Sequence, residues 1–253
     1  MSFGRYLAGT ALLLLSGFAM AQAQPRIAII IDDLGYQLAA GKRAIALPGA
    51  VTFAILPATP SGALLARAAH DQGKEVLLHL PLEAVGEHGP DEPGEITLDM
   101  SRKAFRAAFD AALASVPYAT GVSSHRGSLL TRHPGHMRWL MQEISARDGL
   151  FFVDSYTTAA SVALQIAAEF GVAATRRHVF LDNDRSDEAM MREFEKLLRI
   201  AERQGIAVGI GHPYPETLSF LETRLAELDT STVTLIPVSE ALSDTEPGRA
   251  NEL

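Results

Sequence analysis

The chain has 253 residues, no cysteine, 22 Lys plus Arg against 30 Asp plus Glu, and a formal charge of −8. The missing thiols exclude disulfides, thiolate metal sites and a cysteine nucleophile. An acidic balance with no block of lysine or arginine argues against nucleic acid and anionic lipid as partners.

In chain order, residues 1–23 come first, with one charge at Arg5, an apolar run over 6–21 and small residues at Ala19, Ala21 and Ala23. This outlines a signal peptide cleaved after Ala21 or Ala23 rather than a retained anchor, because the run is short for a bilayer span. Export to the periplasm or cell envelope is expected, with no stable membrane insertion after cleavage. Residues 24–242 read as one domain, and the polar tail at 243–253 is expected to be disordered.

Within the domain, short runs rich in Ile, Val and Phe recur at 27–31, 51–56, 76–78, 150–153, 179–181, 207–210 and 233–238, with a weaker one at 120–123. Several are continuous rather than alternating, which suits strands covered on both faces of a parallel sheet. Helix patterns lie between them. Ser101 caps one whose Phe105, Phe109 and Leu113 recur every four residues before Pro117. Residues 134–148 carry Met137, Leu140, Met141 and Ile144 and stop at Gly149. Ser186 opens another, with Asp187 and Glu188 in its first turn and Gly205 at its end, and 215–228 gives one more.

This alternation predicts an α/β fold, a distorted (β/α) barrel of seven or eight strands, with a doubly wound open sheet as the alternative. The stretch "IDDLGY" carries neither a dinucleotide fingerprint nor a P-loop lysine. Residues 84–99 form a long polar loop, read as a lid or rim.

The residues just past the runs carry the chemistry: Asp32 and Asp33, Pro57, His79, His125, Asp154, Asp182, His212, then Ser239 and Glu240. In a parallel α/β fold all carboxyl ends open on one face, so three histidines and four aspartates are expected to ring one mouth. Singly, Asp33 reads as a helix cap, Asp182 as a turn residue and each histidine as a hydrogen-bonded one. The conjunction reads differently, because His70, His88, His133, His136 and His178 all fall in helices or loops, where solvated surface is the default.

Two neutral imidazoles and one carboxylate make a three-ligand set with an open position, and Asp33, His79 and His125 fit it best. A divalent ion, zinc above all, lowers the pKa of water and polarises a carbonyl. Asp32 is then the proton acceptor and His212 the donor to a leaving group. Ser128 and Ser155 lack the G-x-S-x-G setting of a serine hydrolase.

The segments "IAIIIDDLGY", "VTFAILP", "EVLLHLPLE", "GVSSHRGS", "GLFFVDSYT", "HVFLDN", "GIGHP" and "IPVSE" resemble, in this order, the motifs of the divergent polysaccharide deacetylase family, from Arg26 to Ala241. That family is distantly similar to the NodB-homology carbohydrate esterases. The resemblance implies a distorted (β/α) barrel of the polysaccharide deacetylase type and metal-dependent deacetylation of an acetylated envelope polysaccharide or peptidoglycan amino sugar. A carbohydrate polymer is then the partner. It implies Asp32 as base, Asp33 as metal ligand and His212 as acid.

The His-x-x-x-His site of the esterases is filled here by His79 and Glu83. Either Glu83 coordinates, or it points away and His125 completes the set without loop rearrangement. Asp154 and Asp182 are further candidates for the site. The arginine-proline-tyrosine motif is missing, and Arg126 either takes over its arginine's task of holding Asp32 or lies on the surface. The competing functional reading is an inactive barrel that holds glycan or a wall partner, with Tyr36, Tyr156 and Tyr214 as candidate sugar platforms. Phosphate-ester hydrolysis is disfavoured, since only Arg126 and Arg132 lie close in sequence to the proposed site.

Overall fold

The computed structural model describes residues 24–86 and 92–242. The signal peptide and tail expected above, and His88 with its neighbours at 87–91, lie outside these residues. The order is β1 (Arg26–Leu34), α1 (Leu38–Ile45), β2 (Thr52–Ile55), α2 (Gly62–Asp71), β3 (Val76–Leu82), α3 (Arg102–Ser115), β4 (Ala119–Arg126) and α4 (Pro134–Ser145). Then follow β5 (Phe151–Asp154), α5 (Ala163–Glu169), β6 (Ala174–Arg176), β7 (Val179–Phe180), α6 (Asp187–Gln204), β8 (Ile206–Gly211), α7 (Pro215–Ala226) and β9 (Thr234–Ile236). No helix among the described residues is long and apolar enough to cross a membrane.

All pairings between strands are parallel, in the order β6-β5-β4-β3-β2-β1-β8-β7, with β9 on β1. Only Arg177 and His178 separate β6 from β7, yet β6 pairs with β5 and β7 with β8. One extended segment therefore passes from one neighbour to the other, and this handover closes the sheet into a distorted (β/α) barrel instead of an open doubly wound sheet. Counted once, the split strand makes seven staves around the barrel. The three-residue β6 left no readable apolar run in the sequence.

Alternation sorts the side chains into two cores. Ile27, Ile29 and Ile31 of β1 face the helices, with Phe53, Leu78 and Phe152 from the neighbouring strands. Ala28, Ile30, Ala54, Leu77, Val153 and Ile210 fill the barrel's interior. The interior is narrow: a Cβ on Gly121 would stand 2.6 Å from Cε2 of Phe151, so only glycine leaves that ring its space. Interior alternation carried one step further along each strand predicts what stands at the carboxyl-end mouth: Asp32 after Ile30, His79 after Leu77, Ser155 after Val153 and His212 after Ile210.

The opposite end is sealed. β9 pairs with Arg26–Ala28, the amino-terminal half of β1, and a 3-10 helix at Val238–Ala241 inserts Val238 and Ala241 into the interior core. Ser239 and Glu240 therefore lie at this floor and not at the mouth, contrary to the sequence expectation. There Val238 N donates to Thr52 Oγ1 (3.1 Å), Thr52 Oγ1 donates to Glu75 Oε2 (3.0 Å) and Ser239 N donates to the same oxygen (3.2 Å).

Candidate metal centre

Two consecutive residues cannot normally face one site from a strand, since neighbours point to opposite sides. β1 escapes this rule. Its register to β2 runs Ile31↔Phe53 and then Leu34↔Ile55, so the Asp32–Asp33 stretch carries one extra residue, a bulge, and Asp33 takes φ 60°. A left-handed non-glycine residue costs roughly 1–3 kcal/mol and persists only where its surroundings hold it. Of five such residues among those described, Asp33, Ala58, Arg126 and Tyr156 all stand at or just past the carboxyl ends of strands, at the mouth. Asp33 caps no helix: the residue before α1 is Gln37.

The bulge delivers Asp33 Oδ1 to 2.9 Å from His125 Nδ1 and 3.2 Å from His79 Nε2, and those two nitrogens are 3.2 Å apart. Donor atoms about 2.1 Å from a shared ion and 90–110° apart stand roughly 3.0–3.4 Å from one another. The three atoms thus match neighbouring ligands of a divalent ion, the set {Asp33, His79, His125} that the sequence proposed. Asp33 Oδ1 is buried and makes no hydrogen bond of acceptable geometry despite its close nitrogens. Burial alone would raise the Asp33 pKa, but His125 and His79 beside it hold it far below the usual carboxylate range. An ionised oxygen is what a cation needs.

His79 is fully enclosed, and its Nδ1 lies 2.8 Å from Ser123 Oγ on the adjacent β4. A proton placed there leaves Nε2 with its lone pair toward the cluster. Asp32 is 3 % exposed, has Oδ2 3.5 Å from His79 Nε2, and leaves Oδ1 without a partner. Burial pushes its pKa up, and the nearby His79 and His212 only partly offset this. His212, from the end of β8, sets Nε2 3.7 Å from Asp33 Oδ2 and Nδ1 3.0 Å from Asp182 Oδ1. Burial would lower the His212 pKa, but the Asp182 hydrogen bond and charge, with Asp33 and Asp32, lift it to about 9. Asp182 also accepts from His212 N (2.6 Å) and Thr217 Oγ1 (2.9 Å), so it positions His212 and is itself fully occupied.

The remaining candidates are placed elsewhere. Asp154 follows the exterior Phe152 in alternation, so it faces away from the mouth and accepts from Tyr156 N (2.8 Å) and Ser161 Oγ (2.6 Å) in the next loop. Three of the four aspartates converge, not four. Glu83 accepts from Leu98 N at 2.6 Å, anchoring the loop after β3 instead of joining the cluster. Arg126 does not hold Asp32; its Nη2 lies 3.5 Å from Glu92 Oε1. His136, read as a surface residue, is buried beside His133, Phe105 and Trp139. His178 is partly buried and accepts from Val208 N at the handover.

Sequence reasoning missed Arg177. It sits at the split stave, donates to Ser155 O (2.7 Å) and Tyr156 O (2.8 Å), and acts electrostatically on both Asp32 and Asp154. The mouth is therefore less poor in cations than spacing along the chain implied. Alternation through Thr175 would have found it, had the short β6 been recognised. Ser123, two residues before His125, was legible by the same rule.

A cavity of about 200 Å³ opens beside Asp33 and His212, walled by Gly35, Tyr36, Pro213 and Tyr214, and both tyrosines are exposed. A larger hollow of about 280 Å³ at Arg177, Phe180, Asn183 and Arg192 includes none of the three clustered residues.

A parallel barrel with an aspartate–histidine–histidine cluster at its carboxyl-end mouth has the architecture of the polysaccharide deacetylase barrels. Comparison with known proteins agrees: the family described as divergent polysaccharide deacetylase matches residues 29–242, and the chain belongs to that family. The uncharacterized protein YibQ of Escherichia coli (strain K12) is 34% identical over 238 residues, 94% of this chain and 73% of YibQ. Among solved structures, the uncharacterized protein ATU2773 from Agrobacterium tumefaciens C58 aligns with TM-score 0.83 and 25% identity, over 87% of this chain and 90% of that one. The catalytic domain of a peptidoglycan N-acetylglucosamine deacetylase from Eubacterium rectale ATCC 33656 shares the fold, with TM-score 0.54 and 16% identity over 90% of this chain and 95% of that domain.

Proposed function

We propose that the protein is an exported, metal-dependent deacetylase of an acetylated amino sugar in peptidoglycan or an envelope polysaccharide, with zinc held by Asp33, His79 and His125. The observation that carries this reading is the mutual spacing of Asp33 Oδ1, His79 Nε2 and His125 Nδ1, with the buried acid Asp32 and the half-buried imidazole of His212 beside them. When bound, a divalent cation supplies Lewis-acid polarisation of the acetyl carbonyl.

The chain's own groups supply the proton traffic. Asp32, whose carboxyl is lifted by burial, takes the proton from the attacking water. His212, protonated at neutral pH because Asp182 stabilises the imidazolium, gives a proton to the departing amine. Two groups pushed upward by different causes divide the base and acid roles. The cavity between Tyr36 and Tyr214 offers a sugar ring apolar faces with polar tips, next to Asp33 and His212.

The test is to strip the purified protein with chelator, reload it with zinc or cobalt, and measure acetate released from acetylated peptidoglycan and exported glycans. Release that depends on metal and is lost in Asp32→Asn supports the reading. Metal uptake without acetate from any glycan overturns it. Glycan retention without turnover, surviving Asp32→Asn, would identify a binding barrel instead.

A further inference from the structure

The three imidazoles at the mouth share one arrangement: each turns one nitrogen to the cluster and the other away from it. The outward nitrogen of His79 meets Ser123 Oγ at 2.8 Å, and that of His212 meets Asp182 Oδ1 at 3.0 Å. His125 shows Nδ1 to Asp33 and His79, so its outward atom is Nε2. That atom is buried and has no hydrogen-bond partner. The carboxylate facing it is Glu92, with Oε1 3.9 Å away.

Without an ion, a proton on His125 Nδ1 has acceptors close by in Asp33 Oδ1 and His79 Nε2. Coordination needs the lone pair of that same nitrogen, so the proton must move to Nε2, where only an acceptor at that side of the ring can stabilise it. Glu92 cannot reach the cluster from there, because the ring stands between. Its other contacts are long: Arg126 Nη2 at 3.5 Å and Tyr36 OH at 3.4 Å. We infer that Glu92, from the loop between β3 and α3, is the positioning residue of the third ligand, accepting the Nε2 proton of His125 and fixing the tautomer that binds metal. Outer partners of metal-bound histidines commonly set affinity by 10–100-fold.

This inference rests on the metal reading, and the test separates the two. Zinc affinity is measured by competition with a chromophoric chelator for the parent, Glu92→Ala, Glu92→Gln and Arg126→Ala, with apo melting temperatures recorded alongside. The expected result is zinc bound about 10–100-fold more weakly by Glu92→Ala, a smaller loss for Glu92→Gln, which keeps an acceptor oxygen, and parent affinity for Arg126→Ala. Glu92→Ala binding zinc like the parent overturns the inference and leaves the metal reading standing. Equal losses in Arg126→Ala and Glu92→Ala also overturn it, since the rim and not the imidazole would then be responsible. A parent that takes up no zinc, cobalt or manganese removes both.

Discussion

The two ends of the barrel hold buried polar groups in opposite conditions. At the floor, Thr52, Glu75 and the backbone of Val238 and Ser239 form a closed set of hydrogen bonds. At the mouth, Asp32 Oδ1, Asp33 Oδ1, His125 Nε2 and Ser155 Oγ are buried without a hydrogen bond of acceptable geometry, four of the seven such side-chain atoms among the described residues. An unpaired buried polar atom costs about 1–3 kcal/mol, and more when charged. The sheet satisfies one end and gathers its unbonded polar atoms at the other, over backbone strained at Asp33, Arg126 and Tyr156, where the proposed metal would sit.

The largest expected effect breaks the contrast outright. Asp33→Ala or His79→Ala should lower zinc occupancy, measured by elemental analysis after dialysis, below detection and abolish acetate release. Neither should raise the melting temperature when zinc is added, whereas the parent gains about 2.7 kcal/mol at a free zinc concentration of 100 times Kd. Asp32→Asn comes next, with metal retained and turnover reduced on the order of 10²–10⁴-fold.

Asp182→Asn tests the acid. The folded His212 pKa is raised to about 9, so its stabilising contribution is complete below its ordinary value near 6.5 and is lost as pH rises through about 9. In melting curves the parent should weaken across that window, while the variant should vary far less. Its alkaline activity limb should also shift to lower pH. The smallest effect belongs to the floor: Thr52→Val, which strips Glu75 and Val238 N of a partner, should cost about 1–3 kcal/mol and leave zinc affinity unchanged. A floor substitution that weakened zinc binding would erase the distinction between the ends.

The contrast also explains what was legible beforehand. Strands covered on both faces announce themselves as apolar runs, and residues at their carboxyl ends share one opening in any parallel barrel, so Asp33, His79 and His125 could be grouped without coordinates. Asp154 went astray because a list of residues past the runs ignores alternation, which sends Val153 inward and Asp154 outward. Ser239 and Glu240 went astray because β9 pairs low on β1, a matter of register that no composition reveals. Glu83 and Glu92 were separable only by packing: one is tied to Leu98 N, while the other reaches back across the mouth. Arg177 was hidden by a strand too short to carry a pattern.

The split stave has its own consequence. A hoop whose last bar hands over from one neighbour to the other is fastened at Arg177 and His178 by one backbone bond to each side, Arg177 N to Asp154 O (2.9 Å) and His178 N to Val208 O (2.8 Å). Two residues outside any strand thus join the cylinder's edges, and one of them, Arg177, also ties the loop after β5 through Ser155 O and Tyr156 O.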